Sequence, residues 1–107
     1  MVIKVLGYLI HEDAMLQHGL KNGIGTDENI YARSSTIDNS FLDIAARGGV
    51  LGHARWVCVN VRGELRRCIA LANNDRDDLL SLPPREQIDQ LKAILNTKAE
   101  PKWYLYD

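Results

Sequence analysis

Apolar and polar positions along this chain fall into blocks with different periods. Val2 to Ile10 is apolar on both faces apart from Lys4, the pattern of a buried strand. A helix is expected near 13–22, with Glu12 and Asp13 at its positive end and Lys21 at its negative end. Gly23 stands where a left-handed C-terminal residue belongs. Gly19, inside that helix, costs roughly 1 kcal/mol relative to Ala. GIGTDEN, residues 23–29, reads as a loop in which Thr26 caps a short turn running into Ile30 and Tyr31. A second helix is expected from Ser35, whose spacing to Asp38 loosely follows a capping box. Ile37, Phe41, Ile44 and Ala45 share one face of it, and Gly48-Gly49 stops it.

The densest signal is Trp56 to Leu71, WVCVNVRGELRRCIAL. Two β-rich runs, from about His53 to Val61 and from about Leu65 to Ala72, flank Arg62-Gly63-Glu64 and predict a hairpin. With a three-residue loop, Cys58 faces Cys68 closely enough to bridge. With Arg62-Gly63 alone as the loop, the register slips and Cys58 faces Arg67. Two free thiols acting as small hydrophobes are the reading preferred here. The strand alternation puts Val57, Val59 and Val61 on a face toward helices. Trp56, the cysteines and Ala70 then lie on the opposite face, which is apolar for a solvated sheet.

Beyond the hairpin, Asn73-Asn74-Asp75 breaks the pattern, and Asp75 is placed to cap a single turn through Leu80. Pro83-Pro84 opens a last helix over 84–96, with Ile88, Leu91, Ile94 and Leu95 as its apolar stripe. After Pro101, residues 102–106 form a short final strand or an aromatic tail. These elements predict one α+β domain over 1–107, with an antiparallel sheet centred on a 53–72 hairpin, an N-terminal strand and two to three packed helices. A ferredoxin-like β-α-β-β-α-β order is the first expectation. A three-stranded sheet with the tail as a loop is the alternative.

Composition adds limits. At 107 residues, 46% hydrophobic and 25% charged, the chain can bury a core without disulfides or metals. Its net charge of −1 gives no global pull toward nucleic acid or anionic membrane. No run approaches the roughly 20 apolar residues of a membrane span. The N-terminus has no cleavage-site pattern, so a cytoplasmic location is the expectation.

Gly23 to Glu28, GIGTDE, resembles the calcium-binding loop of annexin repeats, whose carbonyls serve as hard oxygen ligands. The resemblance covers six residues and has no second copy, and the chain continues into a hairpin rather than a helical repeat. Turn chemistry accounts for the segment, leaving calcium binding by GIGTDE as an open question. No zinc-type spacing of His or Cys is present, and no metal or cofactor is expected. The candidates for acid–base chemistry are His11, His53 and Arg55, provided the two strand ends they occupy are neighbours.

Charge is unevenly placed. From Arg47 to Arg67 there are five arginines against Glu64, and from Glu12 to Asp43 six acids against Lys21 and Arg33. Trp56, Arg62, Arg66 and Arg67 are therefore the candidate binding residues, suited to a small anionic ligand. Nucleic acid is not favoured, because Trp56 is the hairpin's only aromatic and the stacking pattern of RNA-binding sheets is missing. Two function classes follow. One is a non-catalytic interaction or small-ligand-binding protein, self-associating as a homodimer through the sheet face. The other is a small enzyme acting on an anionic substrate with His53 and the hairpin arginines.

Overall fold

A computed structural model describes residues 2–107. In chain order the elements are β1 (Lys4–Leu9), α1 (Glu12–Lys21), α2 (Ile30–Arg47), β2 (Arg55–Val61), β3 (Glu64–Asn73), α3 (Arg85–Leu95) and β4 (Lys102–Tyr106). All strand pairs are antiparallel, in the order β1-β3-β2-β4. The fold is α+β, as the pattern predicts, and residues 102–106 are a strand. A ferredoxin-like sheet is open, with β2 and β4 as its edges. Here β4 pairs with β1 and also with β2 through Val59–Tyr106 and Asn60–Leu105, so the sheet closes into a small barrel.

Closure needs strong local bending, and the β1–β3 ladder supplies it. Between Leu6 and Gly7 the register shifts, which bends and twists the pair. A Cβ on Gly7 would lie 2.0 Å from the Ile69 carbonyl oxygen, so only glycine lets the two backbones approach this closely.

The closed sheet has two apolar sides and two cores. Outside, Tyr8, Trp56, Ile69 and Leu71 pack against Met15 and Leu16 of α1, Ile37, Phe41 and Ile44 of α2, and Ile88 and Leu91 of α3. Inside, Val5, Val59, Cys68 and Ala70 meet Leu9, Val57, Val61 and Tyr104. Leu80, from the irregular segment after β3, plugs this inner cluster. Asn73 shapes that segment. Its side chain accepts from the Leu80 N–H at 2.8 Å and donates to the Asp78 carbonyl at 3.0 Å, while its own N–H donates to the Leu80 carbonyl.

The hairpin decides between the two loop lengths left open by the sequence and corrects one expectation, the assignment of its faces. Val61 pairs with Glu64, so the turn has two residues, Arg62 and Gly63, both at positive φ. Cys58 accordingly faces Arg67, Cys68 faces Val57, and both thiols are free. The faces are also the reverse of those expected. Trp56 points to the helices, whereas Val57, Val59, Cys68 and Ala70 line the barrel interior. Alternation alone cannot say which face meets helices when both are apolar.

Helix α2 begins five residues before Ser35. Its cap is Asn29, whose side chain accepts from the Ala32 N–H at 2.9 Å, rather than Ser35 or Thr26. Thr36, deep in α2, donates instead to the Thr26 carbonyl at 2.7 Å and so ties the GIGTDE loop to the helix. None of the helices among the described residues is long and apolar enough to cross a membrane.

Candidate functional site

Strand β3 leaves the hairpin turn through Arg66 and Arg67, neighbours whose side chains must point to opposite faces. Arg66 lies toward Tyr104, on the barrel side, and its charge opposes the upward pull of burial on that phenol's pKa. Arg67 points to the helix side and lies over Trp56, with the guanidinium carbon 4.4 Å from the ring centroid. Trp56 also stacks on Phe41 of α2, at 5.6 Å between centroids and 19° between planes. Arg67 is thus held against an aromatic pair belonging to the main core, a geometry that supports cation–π attraction.

Its polar partners are few. The one side-chain hydrogen bond of the guanidinium among the described residues goes to Cys58 Sγ at 3.6 Å, a weak acceptor. The Arg67 Nε and the Trp56 Nε1 are both buried without a hydrogen-bond partner among the described residues. Each such orphan costs about 1–3 kcal/mol. Exposed Arg62 and Arg76 and half-buried Arg66 also meet no carboxylate within ion-pair distance among the described residues, but four other arginines contrast with Arg67. Arg33, Arg47, Arg55 and Arg85 are all exposed on 40% or more of their side chains, yet each meets a carboxylate. Half-buried Arg67 meets none within ion-pair distance among the described residues.

Arg67 stands where two clefts adjoin. One, of about 400 Å³, lies between the start of α1 and the hairpin end of β3, with His11, Glu12, Glu64 and Arg66 on its walls. The other, of about 300 Å³, lies between α1 and α2, with Ile30, Ser34, Ile37 and Asp38. Glu12 and Arg67 line both. Helix α1 carries no side-chain cap, since His11 at its N-cap makes no capping bond. The Ile10 N–H donates to the Arg67 carbonyl, which brings the strand end bearing His11 beside Arg67.

The structure therefore brings His11, Arg66 and Arg67 to one end of the sheet, with the Trp56 ring reaching Arg67 from farther along it, and places the other candidates elsewhere. Arg62 is exposed at the hairpin tip. Arg55 sits at the far end of β2, in a two-bond pair with Asp78 at 2.8 and 3.2 Å. His53 is at that far end too, with its Nε2 2.9 Å from the Leu71 carbonyl oxygen. The anchor points of His11 and His53 on β3, Arg67 and Leu71, are four residues apart, about 13 Å of strand. The strand ends are not neighbours, and the two histidines form no acid–base pair. Among the described residues no group of three or more His, Cys, Asp or Glu is arranged to hold a metal ion.

Sequence reasoning missed Glu12 and the part α2 plays in the site. The unpaired state of Arg67 depends on which carboxylates the fold brings near, and no spacing in the sequence encodes that. Neither a family model, nor a curated protein, nor a solved structure matches the chain.

Proposed function

We propose that the protein is a non-catalytic ligand-binding domain that takes a small carboxylate- or phosphate-bearing molecule at Arg67. The observation that carries this reading is the half-buried guanidinium over Trp56, with its Nε buried and unpartnered and no carboxylate within ion-pair distance among the described residues. A desolvated cation left unpaired is destabilising unless something else supplies the counter-charge. An anionic ligand in the adjoining clefts would do so through charge-assisted, fork-shaped hydrogen bonds. His11 stands on the cleft wall and adds a donor, while Arg66, on the barrel side, adds positive charge at the same end. Glu12 and Glu64 oppose a bare anion, so the favoured ligand also carries hydroxyl or amine donors that these carboxylates accept. The separation of His11 from His53 supports binding rather than turnover. Self-association loses the sheet face on which it was expected, since Trp56 is covered by Phe41 and Cys68 and Ala70 lie inside the barrel.

Trp56 and Trp103 are the only tryptophans, so Trp103→Phe leaves Trp56 as the sole indole emitter. Titrating this variant with citrate or phosphate, at ionic strength matched with chloride, should give a saturable change in emission. Arg67→Met should abolish the change while the thermal midpoint stays level or rises. A response that is unsaturable, or equal with and without Arg67, would overturn the proposal.

A further inference from the structure

The opposite end of the barrel is not filled. Where β2 begins and β3 ends, a cavity of about 150 Å³ opens between Val5, Val57, Ala70 and Leu80. Val5, Ala70 and Leu80 are buried, so the inner wall is apolar. The rim is charged: Arg55, Asp75 and Asp78 stand around the opening. Arg55 is committed to Asp78 by two hydrogen bonds. Asp75 is half-buried, and its carboxylate accepts only the Asp77 N–H, at 3.1 Å, among the described residues. Two carboxylates against one guanidinium leave the rim net negative.

We infer that this cavity binds a small amphipathic amine, with its apolar group inside the barrel end and its ammonium against Asp75. Apolar cavities of this order of size stay dry and accept a benzene-sized group. The ammonium gains a charge-assisted hydrogen bond that a neutral head would not make. The site lies at the opposite end of the barrel from Arg67, has the opposite charge preference and does not depend on the anion-binding reading.

Benzylamine is the probe and benzoate, with the same ring and the opposite charge, its control. In protein carrying ¹³C-labelled methyl groups, benzylamine should shift the Val5, Val57 and Leu80 methyl resonances saturably, and benzoate should leave them in place. Asp75→Asn keeps an oxygen for the Asp77 N–H and should weaken benzylamine binding about five-fold. Ala70→Val, which places two further methyl groups in the cavity, should abolish it. Should Ala70→Val not fold, the Asp75→Asn comparison stands alone as the test. Equal responses to benzylamine and benzoate, unchanged affinity in Asp75→Asn, or no saturable shift of the three methyls would overturn the inference.

Discussion

Arg62 occupies the left-handed region, with φ at 54°, directly before Gly63 at 84°. The two positive angles make the tight hairpin turn whose twist suits antiparallel strands, and that turn favours Asn-Gly over Arg-Gly. The side chain of Asn60 supports the turn by accepting from the Gly63 N–H at 2.8 Å. Arg62→Asn should therefore stabilise the protein by roughly 0.5–1 kcal/mol, read as a higher midpoint in urea. An unchanged or lower midpoint would show that Arg62 makes a compensating contact. The same turn sets the fate of the thiols. A two-residue loop places Cys68 in the barrel, where burial pushes its pKa up to about 12, and leaves Cys58 beside Arg67. The sequence posed the choice between loop lengths, and the positive φ angles of Arg62 and Gly63 go with the shorter one.

Helix α1 shows why propensity and packing must be weighed together. Gly19 weakens an isolated helix, yet a Cβ there would lie 2.5 Å from both Ser40 Oγ and Thr36 Cγ2 of α2. Thr36 and Ser40 are fully buried, so neither can give way easily. Gly19→Ala should gain about 1 kcal/mol of helix propensity and lose more to the clash, for a net destabilisation of about 1–2 kcal/mol. Thermal unfolding checks the sign, and a stabilised variant would mean that the two helices can separate at little cost.

The second tie between these helices is a side-chain hydrogen bond. Asp43 of α2 takes a hydrogen bond from His18 at 2.7 Å and one from Arg47 at 2.9 Å. The His18 bond, followed by Arg47, holds its carboxyl below the usual Asp value of 3.8, although burial pulls the other way. A lowered folded-state pKa contributes stability above the unfolded value that is lost as pH falls through the folded one. Asp43→Asn should thus cost roughly 0.5–1 kcal/mol at neutral pH, and the gap to the parent should close as pH drops below about 4. A gap independent of pH would rule out that linkage.

Across the whole molecule, closure of the sheet is what the pattern of residues left hidden. Strand β1, the hairpin and all three helices were legible, because each has a periodic stripe or a breaker such as Gly48-Gly49 or Pro83-Pro84, whereas 102–106 was left open between a strand and a tail. Closure depends on the approach of β1 to β3 at Gly7 and on four residues of β2 and β4 meeting at the far edge. Gly7 inside the strand pattern marks the first, but no spacing in the sequence marks the second. Once the sheet curls, the valine face becomes an inner core and Trp56 turns to the helices. Of the candidate site, Trp56, Arg66, Arg67 and His11 were visible as residue types. Their convergence, and the exclusion of His53 and Arg55, came only with the register of β3.

Closure also leaves the barrel with two unlike ends. One gathers His11, Arg66 and Arg67, and the other carries Asp75 and Asp78 around an apolar opening. Opposite charge preferences at opposite ends of one small sheet make the two proposed sites separable in solution. The central claim concerns the first, and the Arg67 side-chain Nε–H resonance reports on it directly. Followed by ¹H–¹⁵N correlation during a citrate titration at constant ionic strength, it should move saturably, together with the Trp56 indole N–H and ahead of the exposed Arg62. An Arg67 resonance that stays fixed, or that moves only in step with Arg62, would contradict the account.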